Sequence, residues 1–276
     1  MTIAIAIRTG SAVVFAADSK ITTRGLAGRD ENGELIWQEQ TYDNATKVVH
    51  DRTKNLMAMV AGHANIGRTA ATDLISTQAF NVTVPDSELD QKIDLLVQLM
   101  VTRKSDYWKT TQVPPEQWPG PTLLLAVPGP VEVPRVWRVN LEGEAATSTE
   151  ILTSPAIRLE GSYDEVFGLL HGIHSEVLYG MGIELKLPAE SLWKAWGDMK
   201  ALRPYDKLNL WAIPVQDAID LAVFLANVQV EMDRFLPGTP ACGGPIDVMV
   251  LQMAPEPGIL AYPGKIVHHP VTRRVN

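Results

Sequence analysis

Apolar residues near the start of the chain alternate in size and are interrupted by one short polar segment. Isoleucine and alanine alternate over residues 3–7, residues 8–11 read Arg-Thr-Gly-Ser, and residues 12–17 are again apolar. Two such runs around a turn are typical of a β-hairpin, and strands that are apolar on both faces lie in sheets covered on both sides. The pattern therefore predicts a buried hairpin over residues 2–17.

Strand patterns continue through the next forty residues. Residues 24–44 are polar and contain glycine, which predicts a second, protruding hairpin. The Lys-Val-Val of residues 47–49 and the apolar run 56–60 lie on either side of the charged segment 51–55, which predicts two more strands joined by a turn.

Helical spacing begins at Ala64. The apolar positions of this first helix share one face: Ile66, Ala70, Leu74 and Ile75. A second helix is predicted over residues 89–100, after the break at Pro85, with Asp86 or Ser87 as its N-cap.

The rest of the chain repeats the order of strands followed by helices. Strands are predicted at 123–127 and 135–139, helices at 163–179 and 215–236, and a last strand at 246–251. Because the strands are grouped and do not alternate with helices, the order predicts an α+β fold with layered packing.

Composition places the chain among ordinary folded proteins. Of the 276 residues, 46% are apolar and 20% are charged, and nothing reads as a linker, so we expect one domain over residues 1–276. The net charge of −8 disfavours nucleic-acid binding, and no apolar run approaches the roughly 18 residues of a membrane span. A single cysteine, Cys242, cannot form an internal disulfide, which favours a reducing cytoplasm.

Thr2 leads the candidate catalytic residues, because removal of Met1 would make it the first residue. The hydroxyl of an N-terminal threonine can attack a carbonyl carbon while its α-amine, with an unperturbed pKa of about 7.7–8.0, accepts the proton. Lys47 would favour the neutral amine, and Asp18 would hold Lys47 in place. The backbone N–H near Gly62 would donate to an oxyanion, since glycine lets the substrate approach the main chain.

Five segments carry a resemblance to a known family. They are Thr2, the Phe-Ala-Ala-Asp-Ser-Lys of residues 15–20, the Lys-Val-Val of residues 47–49, the Ala-Gly-His-Ala of residues 61–64 and the Cys-Gly-Gly of residues 242–244. The first four resemble the catalytic signature of proteasome β subunits and the bacterial HslV peptidase, which share the sixteen-residue interval from Thr2 to Asp18. The fifth is similar to the Ser-Gly-Gly stretch that enters the last core strand of those proteins. The resemblance implies an N-terminal-nucleophile (Ntn) hydrolase: a proteasome-like, four-layer αββα sandwich of two antiparallel sheets that assembles into stacked rings.

The resemblance also implies roles residue by residue. Thr2 would be the nucleophile and carry the base, Asp18 and Lys47 would be the charge pair, and Gly62 would be the oxyanion donor. The residues matching the family's primary specificity pocket are small to medium in size: Ile21, Thr22, Ala45, Val49, Val60 and Ala64. We therefore expect an aliphatic substrate side chain there, or none.

Several positions depart from the family pattern. The family's supporting serine falls on Leu159, although a one-residue shift would let Ser162 take its place in the catalytic set. The later aspartate and serine fall on Thr239 and Cys242, which leaves Asp233 as a distant substitute. Cys242 has no base beside it in the sequence, so we expect a small buried residue there and not a nucleophile.

The resulting hypothesis is a cytoplasmic threonine peptidase that cleaves peptide bonds and needs no cofactor or metal. Its expected partners are a peptide or protein substrate, further copies of the chain in a ring, and an ATP-dependent unfoldase. Insertions near residues 24–44 and 180–210 favour an alternative, an Ntn amidase or acyl-transfer enzyme with a specific small substrate. The altered Leu159, Thr239 and Cys242 favour another, a ring-forming scaffold homologue without catalysis.

Overall fold

The structure, a computed structural model, describes most of the chain: residues 2–29, 35–51, 56–78, 88–110, 114–129, 133–198, 204–253 and 258–262. Within these ranges the chain forms antiparallel sheets and six α-helices, which confirms the mixed α+β class. The N-cap expected at Asp86 or Ser87, and the turn expected between residues 51 and 56, lie mostly or wholly outside the described residues.

The strands form two five-stranded sheets and two small pairs. The first sheet contains, from edge to edge, β12 (Ala156–Gly161), β1 (Ile3–Arg8), β2 (Ala12–Asp18), β13 (Ile246–Gln252) and β14 (Gly258–Tyr262). The second contains β11 (Thr147–Ile151), β10 (Arg135–Asn140), β9 (Pro121–Val127), β6 (Met57–Gly62) and β5 (Val48–His50). The pairs are β3 (Ile21–Arg29) with β4 (Leu35–Tyr42), and β7 (Asn65–Ile66) with β8 (Thr69–Ala70).

Six α-helices accompany the sheets: α1 (Ala71–Gln78), α2 (Leu89–Trp108), α3 (Asp164–His171), α4 (Ser175–Leu185), α5 (Ala189–Asp198) and α6 (Val215–Asp233). Short 3-10 helices occur at Pro115–Gln117 and Pro204–Lys207. Among the described residues, no helix has both the length and the apolar character that crossing a bilayer requires.

The size alternation in β1 is explained by what packs against its two faces. Ile3, Ile5 and Ile7 belong to a core cluster that includes side chains of α3 and α6. Ala4 and Ala6 belong to a different cluster, which contains side chains from both five-stranded sheets and the fully buried Phe15. Because alternate residues of a strand point to opposite faces, the large side chains pack into the cluster with α3 and α6 and the small ones into the other cluster.

The second sheet has its own helical cover. Leu74 and Ile75 of α1 and Leu96 of α2 lie in a third core cluster with Val60 of β6 and Leu125 of β9. Helices therefore contribute to the clusters on one face of each five-stranded sheet, and strands of both sheets contribute to the remaining cluster.

Most strands at the centre of the sheets lie where the sequence predicts them. The hairpin over residues 2–17 is confirmed as β1 and β2, with Ala4 opposite Ala17. The hairpin predicted within residues 24–44 is confirmed as β3 and β4, with an irregularity between Leu26 and Gly28.

Two helical predictions are wrong in detail. The helix predicted at 163–179 is divided into α3 and α4, because Gly172 adopts φ +78° and caps α3 with a left-handed turn. The helical spacing from Ala64 starts too early, since residues 65–70 form the β7–β8 pair before α1 begins at Ala71. The sequence also predicts no strand at β11, β12 or β14.

Candidate active site

Asp18, the last residue of β2, is fully buried and both of its carboxylate oxygens accept hydrogen bonds. Oδ1 accepts from Lys47 Nζ at 2.7 Å and from the backbone N–H of Ile3 at 3.1 Å. Oδ2 accepts from the backbone N–H groups of Gly243 at 2.9 Å and Lys20 at 3.2 Å. Four donors, three of them distant from Asp18 in the sequence, therefore converge on one carboxylate.

The charge state of Asp18 depends on a balance between burial and these donors. Burial raises the pKa of the Asp18 carboxyl, while the Lys47 ammonium and the N–H groups of Gly243 and Lys20 oppose that rise. An ionised carboxylate loses much of its hydration when buried and needs charge and hydrogen bonds to replace it. Each donor therefore helps to keep Asp18 ionised and Lys47 in place.

Thr2 lies beside this ion pair at the start of β1. It is only 4% exposed, and its carbonyl oxygen accepts from the backbone N–H of Ser162 at 2.7 Å. Lys47 precedes β5, is 7% exposed, and its carbonyl oxygen accepts from Val60 N–H at 2.9 Å. Thr2 and Lys47 both line a cavity of about 680 Å³.

This cavity brings together most residues that the sequence predicts for the site. Its lining contains Thr2, Lys47, Gly62, Ile21, Thr22, Ala45, Val60 and Ala64. Asp18 is not in the lining, but it accepts a hydrogen bond from Lys47, which is. Ser162 is not in the lining either, and its recorded bond to Thr2 is made by the main chain.

Val49 lies elsewhere. It belongs to the core cluster shared by the second sheet and helices α1 and α2, and it lines a separate open cavity of about 450 Å³. The predicted place of Val49 in the substrate pocket therefore finds no support in the lining of the larger cavity.

The cavity also has polar walls that the sequence does not single out. Lys20, Thr46, Asn65, Thr72 and Asp73 contribute to the lining. His63 lies there as well, and desolvation lowers the pKa of its imidazole. Lys20 and His63 belong to the motifs at residues 15–20 and 61–64, whereas the other residues have no signal in the sequence beyond proximity to the predicted ones.

Gly161 contacts the main chain of Thr2 and is a residue that the sequence alone does not single out. It pairs with Ile3 at the end of β12, has φ +85°, and a Cβ atom there would lie 1.9 Å from the carbonyl oxygen of Thr2. Only glycine lets the two backbones approach this closely. Together with the Ser162 N–H bond, it fixes the main chain of Thr2.

Cys242 lies behind the ion pair. It is 1% exposed, as expected, and its backbone N–H donates to Asp233 Oδ2 at 2.8 Å. Burial, aided by the negative charges of Asp18 and Asp233, raises the pKa of the Cys242 thiol. The thiol therefore stays protonated at neutral pH and is a poor nucleophile.

The described residues contain no group of three or more His, Cys, Asp or Glu side chains placed to hold a metal ion. No protein-family model matches the chain, and a search of curated proteins finds no match either.

Replacing Gly161 tests whether the close approach of its backbone to the carbonyl oxygen of Thr2 is needed for stability. We expect Gly161→Ala to displace Thr2 and to lower the free energy of unfolding by about 2 kcal/mol or more, since the methyl group meets backbone and also occupies a positive φ. Urea unfolding measures the change. Gly180→Ala is the matched control, because a Cβ there meets nothing within 4 Å and alanine is favoured in α4. Equal stability of the two variants would contradict the proposed backbone constraint.

The thiol of Cys242 gives a second test. Because its pKa is raised and the side chain is buried, we expect iodoacetamide at pH 8.5 to modify the folded protein at least about 100-fold more slowly than the protein unfolded in urea. Intact mass measures the modification at this single cysteine. Modification of the folded protein at the rate of an ordinary exposed thiol would show that Cys242 is not held as the structure has it.

Proposed function

We propose that the chain is an N-terminal-nucleophile hydrolase of the proteasome type, in which Thr2, exposed by removal of Met1, cleaves amide bonds of peptides. One observation carries the proposal. Thr2 shares a cavity with Lys47, and the Lys47 ammonium is bonded to a buried Asp18 that also accepts from the N–H of Ile3, the residue after Thr2. Met1 lies outside the described residues.

The core clusters support the fold that this proposal requires. A four-layer αββα sandwich needs one apolar layer between two sheets and one between each sheet and its helices. The three clusters have that composition: strands of both sheets in one, the first sheet with α3 and α6 in another, and the second sheet with α1 and α2 in the third.

The proposed reaction begins with proton transfer within Thr2. The hydroxyl oxygen attacks the carbonyl carbon of the scissile amide, and the hydroxyl proton moves to the α-amine directly or through one water. The ammonium of Lys47 near the amine favours the neutral, proton-accepting form. Asp18 does not take the proton, because its oxygens are occupied in orienting Lys47 and the backbone.

Gly62 supports the next step. It ends β6 with φ +76°, lines the cavity, and a Cβ there would meet no atom within 4 Å. Open space and a left-handed backbone let the carbonyl of a substrate approach the Gly62 N–H, which would donate to the oxyanion of the tetrahedral intermediate.

The remaining steps return the enzyme to its starting state. The intermediate collapses, the carbon–nitrogen bond breaks, and the leaving amine takes the proton from the Thr2 ammonium. The acyl group is then held as an ester on Thr2. Water attacks the ester, with the α-amine as base, to release a carboxylic acid and restore the hydroxyl.

The cavity also bears on the substrate. Ile21, Ala45, Val60 and Ala64 give it an apolar wall suited to an aliphatic side chain. The polar lining residues Lys20, His63 and Asp73 favour a second candidate, an Ntn amidase or acyl-transfer enzyme acting on a small polar substrate. The proposal also includes assembly into rings and delivery of substrates by an unfoldase, which rest on the family resemblance alone. It includes a cytoplasmic location, which rests on the single cysteine.

Intact mass tests the nucleophile directly. The intact mass of protein purified from its native host is measured before and after incubation with a peptide epoxyketone, which bonds to both the hydroxyl and the amine of an N-terminal threonine. We expect loss of Met1 and one adduct, placed on Thr2 by fragmentation. Loss of Met1 without an adduct would favour the amidase, and a retained Met1 would favour a non-catalytic scaffold.

The same proposal predicts the effect of removing the hydroxyl. Thr2→Ala should lower the rate of peptide hydrolysis at least about a thousandfold, because the proposed ester forms on the hydroxyl of the N-terminal residue. Thr147→Ala is the matched control, since Thr147 is exposed on β11, an edge strand. Hydrolysis that persists in Thr2→Ala would exclude Thr2 as the nucleophile.

A further inference from the structure

A second buried carboxylate lies behind Asp18. Asp233 ends α6 and is 5% exposed. Its Oδ1 accepts from Gln229 Nε2 and its Oδ2 from the backbone N–H of Cys242, both at 2.8 Å. Gln229 is 2% exposed, and its own oxygen accepts from the N–H of Glu165 in the first turn of α3 at 3.2 Å. Asp233 therefore links α6, α3 and the segment that enters β13.

This segment connects Asp233 to Asp18 through two consecutive amides. Cys242 N–H donates to Asp233, and the next N–H, that of Gly243, donates to Asp18 Oδ2 at 2.9 Å. Gly243 also accepts from the N–H of Ser19 at 3.1 Å. The two planar peptide units meet at the Cα of Cys242, so a displacement of the first amide moves the second unless φ and ψ of Cys242 compensate.

Close packing restricts the same segment on its other side. A Cβ at Gly244 would lie 2.4 Å from the carbonyl oxygen of Asp43, and Gly244 has φ +72°. A Cβ at Gly243 would lie 3.1 Å from the Lys20 side chain. The segment is therefore confined between Asp43 and Lys20 on one side and the two carboxylates on the other.

We propose that Asp233 is a positioning residue for the proposed hydrolase: it holds the Cys242 amide so that the Gly243 amide stays directed at Asp18. Asp18 in turn holds Lys47 in the cavity beside Thr2. Only the catalytic consequence rests on the proposed function. The hydrogen-bonded relay from Gln229 to Asp18 exists whether or not Thr2 reacts.

Hydrogen exchange at single amides tests the relay without requiring activity. In Asp233→Ala we expect exchange of both the Cys242 and Gly243 amides to accelerate at least about tenfold, although the acceptor of Gly243 is untouched. Mass spectrometry with fragmentation resolves the two amides. Asp220→Ala is the matched control, because Asp220 is exposed on α6 and its recorded bond is to Gln216 of the same helix.

Kinetics then test whether the relay matters for catalysis. With the peptide substrate we expect kcat to fall about tenfold or more in Asp233→Ala and KM to stay within about twofold, because Asp233 does not line the cavity. A purely structural role would lower thermal stability and leave kcat of the folded protein unchanged, which would overturn the catalytic part. Unchanged exchange of the Gly243 amide would overturn the relay itself.

The isosteric variant covers the case in which Asp233→Ala does not fold. Asp233→Asn keeps one acceptor oxygen but places its amide nitrogen against the second donor. The amide exchange rates and kcat of this variant should therefore lie between those of the wild type and those expected for Asp233→Ala. Faster exchange at Cys242 alone would overturn the proposal. If the wild type shows no Thr2-dependent hydrolysis, the proposed function fails, while the exchange data still decide the relay.

Discussion

The buried carboxylate of Asp18 is the constraint on which the site depends. A fully buried carboxylate is costly, and it is tolerated because four donors replace the lost water. The donors are the backbone N–H groups of Ile3 in β1, Lys20 just after β2 and Gly243 just before β13, together with the ammonium of Lys47 just before β5. The carboxylate is therefore satisfied only when both sheets have formed, which couples the geometry of the site to the assembly of the whole fold.

Backbone approach is the second constraint. Gly161 brings β12 against the carbonyl of Thr2, and Gly244 brings the segment before β13 against the carbonyl of Asp43. Both glycines have positive φ, so any other residue would meet both a steric clash and an unfavourable backbone. Thr2 is thus fixed by its main chain, through Gly161 and Ser162, which leaves its side chain to the cavity.

The sequence predicts the centre of the sheets well and their edges poorly. β1, β2, β6, β9 and β13 are buried and have the apolar runs that such strands require. In the two five-stranded sheets, the strands that it misses, β11, β12 and β14, all lie at edges. An edge strand has one neighbour and partial burial, so a sequence such as the Thr-Ser-Thr-Glu-Ile of β11 carries little hydrophobic pattern.

The candidate site shows a similar division. Thr2, Asp18, Lys47 and Gly62 follow from short motifs, and the structure places three of them in one cavity and bonds the fourth to Lys47. Asp233 and Gln229 lie on a helix far from those motifs in sequence, and the pairing of Asp233 with Cys242 depends on how α6 packs against the first sheet. Tertiary contacts of this kind leave no local pattern in the chain.

The electrostatics around Cys242 oppose a role as nucleophile. The thiol lies near two carboxylates, Asp18 and Asp233, and one ammonium, and Asp233 also accepts a hydrogen bond from it. Negative charge on both sides opposes formation of a thiolate, so the sulfur serves as a buried donor. Thr2 has different surroundings: the Lys47 ammonium lines the same cavity, and Asp18, which is not in the lining, is bonded to that ammonium. A cation beside an amine favours its neutral form, which is the form that can accept a proton from the hydroxyl.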